Sequence, residues 1–114
     1  MEKETITPEP NSLGAIVALI QRLRGENGCP WDQKQTPQSL AVYLIEEVFE
    51  LVEAIEADDS EAILEEMGDA LFQMLFLMVL YQQAGRFSFT EVLGRNLAKM
   101  IHRHPHVFGT DRVQ

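Results

Sequence analysis

The sequence has 114 residues, enough for one domain with a core but small by that standard. Its formal net charge of −9 argues against a nucleic-acid polymer as partner, because such a surface would be basic. Cys29 is the only cysteine, which excludes an intrachain disulfide and predicts a reducing, cytoplasmic location. The longest apolar run, Met74–Tyr81, is far shorter than the roughly 20 residues of a membrane span, so we expect no membrane partner.

The first third of the chain predicts a polar lead, one helix and a loop. Residues 1–11 are polar with two prolines and are predicted to be flexible. Ser12 can cap a first helix that runs to about Gly25. Residues 28–36, GCPWDQKQT, predict a loop in which Trp31 offers a flat face to a base and Lys34 offers charge. In the alternative interpretation, Trp31 plugs the end of a helical bundle and the charges are solvated.

Three further helices follow. Thr36-Pro37 is a strong helix start, and that helix should run to about Ala57. Asp58 or Asp59 then caps a third helix that stops at Gly85. A fourth begins at the capping box of residues 88–91 and ends near residues 104–105, and residues 106–114 are predicted to be irregular. Glycine and proline concentrate at these breaks, which favours an all-α chain.

Two acidic pairs lie on the second and third helices. Glu47 and Glu50 are three residues apart, as are Glu66 and Asp69, so each pair shares a helix face. The connection near residue 58 is short, so the helices should run antiparallel. Glu50 and Glu66 are then equally far from the turn, as are Glu47 and Asp69. At about 1.5 Å per residue, both pairs lie about 12 to 16 Å along the hairpin, and the four carboxylates can converge.

Converging carboxylates repel one another, and a hard divalent cation such as Mg²⁺ or Mn²⁺ relieves that repulsion. The second helix taken alone also fits an ordinary amphipathic helix with a solvated acidic face. The third helix is apolar on nearly every side around Asp69, with Gln73 the other polar exception, and so predicts a buried helix. A buried Asp69 would need a cation, because its neighbours are acids.

Two cations and three histidines mark the end of the fourth helix. Lys99 and Arg103 share a helix face, and cations there would also complement the helix dipole. The histidines at 102, 104 and 106 suggest a zinc site, although Pro105 interrupts the helix and no cysteine is near. A di-iron carboxylate bundle is a further alternative, but the hairpin lacks Glu-x-x-His pairs.

The acidic pattern, Glu46-Glu47-x-x-Glu50 followed by Glu66-x-x-Asp69, resembles the EExxE…ExxD motif of the MazG nucleotide pyrophosphohydrolases. Four other segments are similar to that family: CPWD at 29–32, GDALFQ at 68–73, GRF at 85–87 and RHPHVF at 103–108. The resemblance covers about residues 12–109, which we take as the domain.

The resemblance implies an all-α helical bundle built on an antiparallel helix hairpin and packed as an intertwined homodimer, or as a dimer of dimers. It implies Mg²⁺-dependent hydrolysis of a nucleoside triphosphate between the α and β phosphates, with Mn²⁺ as a substitute. By the family motif, the metal ligands would be Glu47, Glu50, Glu66 and Asp69, and Glu46 would help to position or deprotonate the attacking water. Lys99 and Arg103 fall where the family places cations that hold the phosphates.

Several alternatives stay open. Longer bacterial members carry two such domains in tandem, whereas this chain ends shortly after HPHVFG, so residues 110–114 are expected to be a tail, either of a short member or of a piece of a longer protein. The same fold could act on dUTP, dUDP or a phosphoribosyl nucleotide. A non-catalytic helical dimerisation module, using its acidic face to bind a basic partner, is the alternative from another class.

Overall fold

The computed structural model describes residues 9–109, and every regular element among them is a helix. This confirms the all-α expectation. The six helices are α1 Leu13–Arg24, α2 Pro30–Gln33, α3 Pro37–Ala57, α4 Ser60–Gln83, α5 Phe89–His102 and α6 Pro105–Phe108. None of the helices within the described residues combines the length and the hydropathy of a membrane span.

Side-chain caps fix the starts of three helices where the sequence predicted them. The Ser12 hydroxyl accepts a hydrogen bond from the Ala15 N–H at 3.1 Å and begins α1. Thr36 and Ser39 form a reciprocal capping box at the start of α3, with distances of 3.2 and 3.0 Å. The box of residues 88–91 begins α5 in the same way. Each cap satisfies backbone N–H groups that the first turn leaves without partners.

Two segments predicted to be irregular contain a helical turn instead. Residues 30–33 of the predicted loop form α2, and residues 106–108 of the predicted tail belong to α6, which begins at Pro105. In both, a proline occupies the first helical position, where its fixed φ favours the helix and its missing N–H costs nothing. Residues 1–8 of the predicted lead and residues 110–114 of the predicted tail lie outside the described residues.

The reversal between α3 and α4 uses both aspartates. Asp58 has φ 53°, in the left-handed region, and its N–H donates to the Ile55 carbonyl at 3.0 Å. The Asp59 N–H donates to the Ala54 carbonyl at 3.3 Å, which completes a Schellman-type end of α3. The Asp59 carboxylate then accepts from the Ala62 N–H at 3.3 Å and caps α4. Because the connection is two residues long, the helices fold back on each other.

The described residues up to Leu80 form one compact unit, and those from Tyr81 form a second. The core of the first unit takes its side chains from α1, α3 and α4, and its fully buried members are Ile20, Leu40 and Leu75. In the second unit, α5 and α6 bury none of their residues.

The expectation that α4 is buried all round is wrong. Leu75, Phe76 and Val79 are buried, but Asp69 is exposed and so are apolar residues on another side of the helix. An apolar sequence predicts that the side chains of a helix favour burial, but other residues of this chain cover only part of the α4 surface.

Candidate metal centre

Three carboxylates converge where α3 and α4 lie side by side. Glu47 comes from α3, and Glu66 and Asp69 come from consecutive turns of α4. One carboxylate oxygen from each lies within 4.8 Å of the others. This spacing is close to the roughly 4 Å that can separate two oxygen ligands of one small hard cation, so a small movement of the side chains would let the three residues hold one ion.

Glu50 and Glu46 lie at the edge of this cluster. Both are exposed, and neither belongs to the group of three converging oxygens. Glu50 is nevertheless near enough to form a side-chain hydrogen bond with the Glu66 carboxyl group when that group is protonated. The Glu46 charge acts on Glu47 through repulsion. Glu47, Glu50, Glu66 and Asp69 therefore interact with one another electrostatically. Glu46 interacts with this group only through Glu47.

The cluster changes the acidity of its members. The pKa of Glu66 is raised to about 7, first because the protonated carboxyl group can donate to Glu50, and then because of burial and repulsion from neighbouring carboxylates. The pKa of Glu47 is also raised, mainly by burial and then by repulsion from Glu50 and Asp69, although a hydrogen bond from Glu66 opposes this. Both shifts have the direction expected for like charges held together.

Two buried carboxylate oxygens of the cluster lack a hydrogen-bond donor. Oε2 of Glu47 and Oε2 of Glu66 are buried, and no hydrogen bond reaches either atom from the described residues. A buried carboxylate oxygen is costly unless a donor or a cation satisfies it. An all-oxygen set with several negative charges suits Mg²⁺ or Mn²⁺ better than zinc, which favours nitrogen and sulfur. These residues therefore fit a hard divalent cation.

Gln73 shares a face of α4 with Asp69, and the sequence alone assigned no role to it. It follows Asp69 by one helical turn on α4, and its Oε1 is a third buried oxygen without a hydrogen-bond partner among the described residues. One feature of the sequence could have pointed to Gln73: besides Asp69, it is the other polar residue in an otherwise apolar run. A cation-bound water could supply the missing donor.

The remaining predicted residues come from other elements of the chain. Trp31 is 70% exposed on α2, so the interpretation that it plugs the bundle is wrong. Lys34 is exposed at the end of α2. Lys99 and Arg103 belong to the second unit, where Lys99 is in the last turn of α5 and Arg103 follows it as the C-cap.

The histidines form no comparable centre among residues 9–109, where the acidic cluster is the one group of three or more potential metal ligands. The His104 Nδ1 atom is instead 2.6 Å from the Met100 carbonyl oxygen.

A helical hairpin that gathers carboxylates from both of its helices defines an all-α protein with a candidate site for a divalent cation. Residues 35–108 match the family described as MazG nucleotide pyrophosphohydrolase domain, and the chain belongs to that family.

Curated relatives agree with this family. The chain is 44% identical over 94 residues to the nucleoside triphosphate pyrophosphohydrolase/pyrophosphatase MazG of Thermotoga maritima, covering 82% of this chain and 37% of that protein. It is 41% identical over 105 residues to the nucleoside triphosphate pyrophosphohydrolase of Escherichia coli K12, covering 91% and 40%. It is also 47% identical over 97 residues to the Bacillus subtilis protein YabN, covering 85% and 20%. The chain thus spans between 20% and 40% of the length of these relatives.

Proposed function

We propose that this chain hydrolyses nucleoside triphosphates between the α and β phosphates, giving a nucleoside monophosphate and pyrophosphate, with Mg²⁺ as its cation and Mn²⁺ as a substitute. The observation that carries the proposal is the convergence of Glu47, Glu66 and Asp69 oxygens within 4.8 Å. Membership of the MazG nucleotide pyrophosphohydrolase family supplies the reaction class, and the names of the relatives supply the substrate class.

The acidic residues divide into ligands and a base. Glu47, Glu66 and Asp69 would hold the cation, and Glu50, through its contact with Glu66, would complete the set. When bound, the cation neutralises phosphate charge and makes a nearby water more acidic. Glu46 is exposed beside Glu47 and would accept the proton of the attacking water, while Glu47 orients that water.

The cationic and aromatic residues would hold the rest of the nucleotide. Lys99 and Arg103 are exposed and would stabilise the charge that develops on the leaving pyrophosphate. Trp31 is exposed on a segment held by Arg24, whose guanidinium donates to the carbonyls of Asp32 at 2.7 Å and Gln35 at 3.3 Å. An exposed indole on a segment held in this way can stack on a base. Lys34, in the same segment, would contribute charge.

The functional test measures both products and the dependence on the cluster. Purified protein is incubated with a panel of triphosphates, dUTP, dUDP and a phosphoribosyl nucleotide with Mg²⁺, and the products are separated by ion-exchange chromatography. We expect monophosphate and pyrophosphate, and a loss of turnover of at least about a hundredfold in Glu50→Gln and Glu66→Gln. Glu53→Gln is the matched control, because Glu53 is an exposed glutamate of α3 outside the cluster.

The products identify the reaction. Orthophosphate and a diphosphate would reject the proposed cleavage position. Equal turnover in Glu50→Gln, Glu66→Gln and Glu53→Gln would reject the role of the cluster. If no substrate in the panel is hydrolysed while the folded protein still dimerises, the helical dimerisation module becomes the better interpretation.

Two exposed apolar stripes in the first unit support the proposal of a homodimer. The stripe on α3 and the stripe on α4 each repeat at intervals of three, four and three residues, which is the spacing of a coiled-coil seam. Their members are between 39% and 71% exposed: Val42, Ile45, Phe49 and Val52 on α3, and Leu64, Met67, Leu71 and Met74 on α4. Exposed apolar surface this regular is typical of a protein–protein interface.

The two stripes also match in height. Val42 and Met74 are equally far from the reversal at Asp58, and so is each following pair down to Val52 and Leu64. On a helical wheel the stripes lie about 180° from Glu47 on α3 and from Asp69 on α4. A second hairpin packed on them would therefore leave the carboxylates uncovered. We propose a second copy of this chain as that partner, in a bundle built from two hairpins.

The dimer is tested by size-exclusion chromatography with light scattering. We expect wild type and Glu53→Gln to be dimers at micromolar concentration, and Phe49→Glu and Leu64→Glu to shift to monomers, because each places a charge in an apolar seam. A monomeric wild type at these concentrations would refute the assignment.

A further inference from the structure

The segment between α1 and α3 is held by hydrogen bonds although it contributes nothing to the core. Its short helix, α2, has four residues and buries none of them, and the Trp31 side chain is 70% exposed. A helix of this length is not stable by itself, because the first turn costs more entropy than its hydrogen bonds repay. Contacts with other elements must therefore fix its conformation.

Arg24, the last residue of α1, contacts three carbonyl groups of this segment. Its Nη1 donates to the Asp32 carbonyl oxygen at 2.7 Å. The same atom lies 3.3 Å from the carbonyl oxygens of Gln33 and Gln35, also within hydrogen-bond distance. A helix leaves its last carbonyl groups without intrahelical donors, and one guanidinium supplies donors to them here. The side chain of Arg24 thus closes the end of α2.

Two glutamines connect the same segment to both neighbouring helices. The Gln33 Nε2 donates to the Gly25 carbonyl at 2.7 Å, at the end of α1. The Gln35 Nε2 donates to the Trp31 carbonyl at 3.3 Å, and the Gln35 Oε1 accepts from the Ser39 hydroxyl in α3 at 2.7 Å. The backbone that carries the indole is therefore tied to α1 on one side and to α3 on the other.

A close backbone approach fixes the start of the segment. The Cys29 N–H donates to the Leu23 carbonyl oxygen at 2.7 Å. A Cβ atom at Gly28 would lie 2.2 Å from that oxygen, so only glycine permits this approach. Since none of these contacts buries a side chain of α2, their effect is to hold an exposed segment in one conformation.

We infer that Arg24 is a positioning residue for nucleotide recognition, which holds the backbone of residues 31–35 so that the Trp31 ring is presented to a planar base. The inference rests on the proposed contact between Trp31 and the base. It adds a residue whose guanidinium binds the protein's own carbonyl groups. Ordering the backbone of one free residue costs about as much free energy as stacking one base supplies. A segment that had to be ordered on binding would therefore lose most of the benefit of the stack.

The test compares two ligands that differ only in whether they carry a nucleoside. The full chain with Mg²⁺ is titrated with α,β-methylene-ATP, which cannot be cleaved between the α and β phosphates, and with inorganic tripolyphosphate. The ratio of the two affinities is the nucleoside preference, and it cancels the effect of a changed charge on phosphate binding. Trp31 is the one tryptophan of the chain, so its fluorescence reports on α2 directly.

We expect wild type to prefer the nucleotide, and we expect only the nucleotide to quench the Trp31 fluorescence. Arg24→Met should lower the nucleoside preference at least about fivefold. Arg24→Lys keeps the charge but not the planar fork, so its preference should lie between those of Arg24→Met and wild type. Gln33→Ala removes a second tie of the segment and should lower the preference in the same direction.

A double-mutant cycle shows whether Arg24 acts through Trp31. Trp31→Ala should lower the nucleoside preference roughly fivefold to a hundredfold, the usual contribution of one stacked base. Adding Arg24→Met to Trp31→Ala should lower it no further, because no ring remains to be positioned. Circular dichroism checks that each variant keeps its helices. If Arg24→Met does not fold, Arg24→Lys and Gln33→Ala carry the same comparison.

The inference is overturned if wild type binds both ligands equally well, or binds neither. It is also overturned if Arg24→Met keeps the wild-type preference, if it weakens both ligands by the same factor, or if its effect adds in full to that of Trp31→Ala. Failure of the proposed reaction is a separate result. A chain that leaves nucleoside triphosphates intact, but loses its nucleoside preference in Arg24→Met, would keep Arg24 as a positioning residue and lose the reaction.

Discussion

The raised pKa of Glu66 predicts that Mg²⁺ binding releases protons. A carboxyl group with a pKa of about 7 is about half protonated at pH 7, whereas an ordinary glutamate, near 4.5, would be almost fully ionised. A cation binds the ionised carboxylate. Glu66 alone should therefore release about half a proton at pH 7 and about a tenth of a proton at pH 8. Glu47, whose pKa is also raised, adds to this release.

The released protons can be counted by titration calorimetry. Mg²⁺ is titrated into the metal-free protein in two buffers with different enthalpies of ionisation, because the difference in observed heat gives the number of protons taken up by the buffer. Glu66→Gln should lower the count at pH 7, since glutamine has no proton of this kind to lose. Glu53→Gln should leave it unchanged, because Glu53 is not among the groups that shift these pKa values.

The same shift sets the sign of a stability change. The folded-state pKa of Glu66 is above its unfolded value of 4.5, so between pH 4.5 and about 7 the folded state holds more protons than the unfolded state. The Tm of the metal-free protein should therefore fall as pH rises through this window. The fall should be smaller in Glu66→Gln and should be reversed by Mg²⁺. Binding of Mg²⁺ at pH 7 without proton release would refute the argument that the carboxylates crowd one another.

Three further predictions concern the ends of the hairpin helices, and each is measured by urea denaturation. Asp58→Gly should stabilise the protein by roughly 0.5–1 kcal/mol, because glycine adopts φ 53° without strain; no gain would mean that the aspartate side chain contributes there. Asp59→Ala should lower the free energy of unfolding by about 1 kcal/mol, since it removes the side-chain cap on the Ala62 N–H. An unchanged midpoint would show that water satisfies this N–H equally well. Gly85→Ala should lower the free energy of unfolding by about 1 kcal/mol because φ is 72° there, and an unchanged midpoint would show that the α4 terminus rearranges.

Helix starts were predictable from the sequence because capping is local. Ser12, Thr36 and Ser88 each bond to a backbone N–H three residues ahead, and neither the core nor a partner is needed for that choice. The equal distances of Glu47 and Asp69 from residue 58 likewise needed only the helical rise and a short turn. The structure then gave the turn its form, with Asp58 left-handed and Asp59 as the cap of α4.

Burial was decided by the tertiary structure, because it depends on which neighbours the chain supplies. The sequence predicted a buried Asp69 and allowed a buried Trp31, but both are exposed. It gave Gln73 no role, because an unsatisfied buried oxygen can be recognised only once its surroundings are known. The sequence by itself determined where the helices begin and which carboxylates can meet. Only the packing of α3 against α4 decided which oxygens are close and buried, and therefore where a cation would be held.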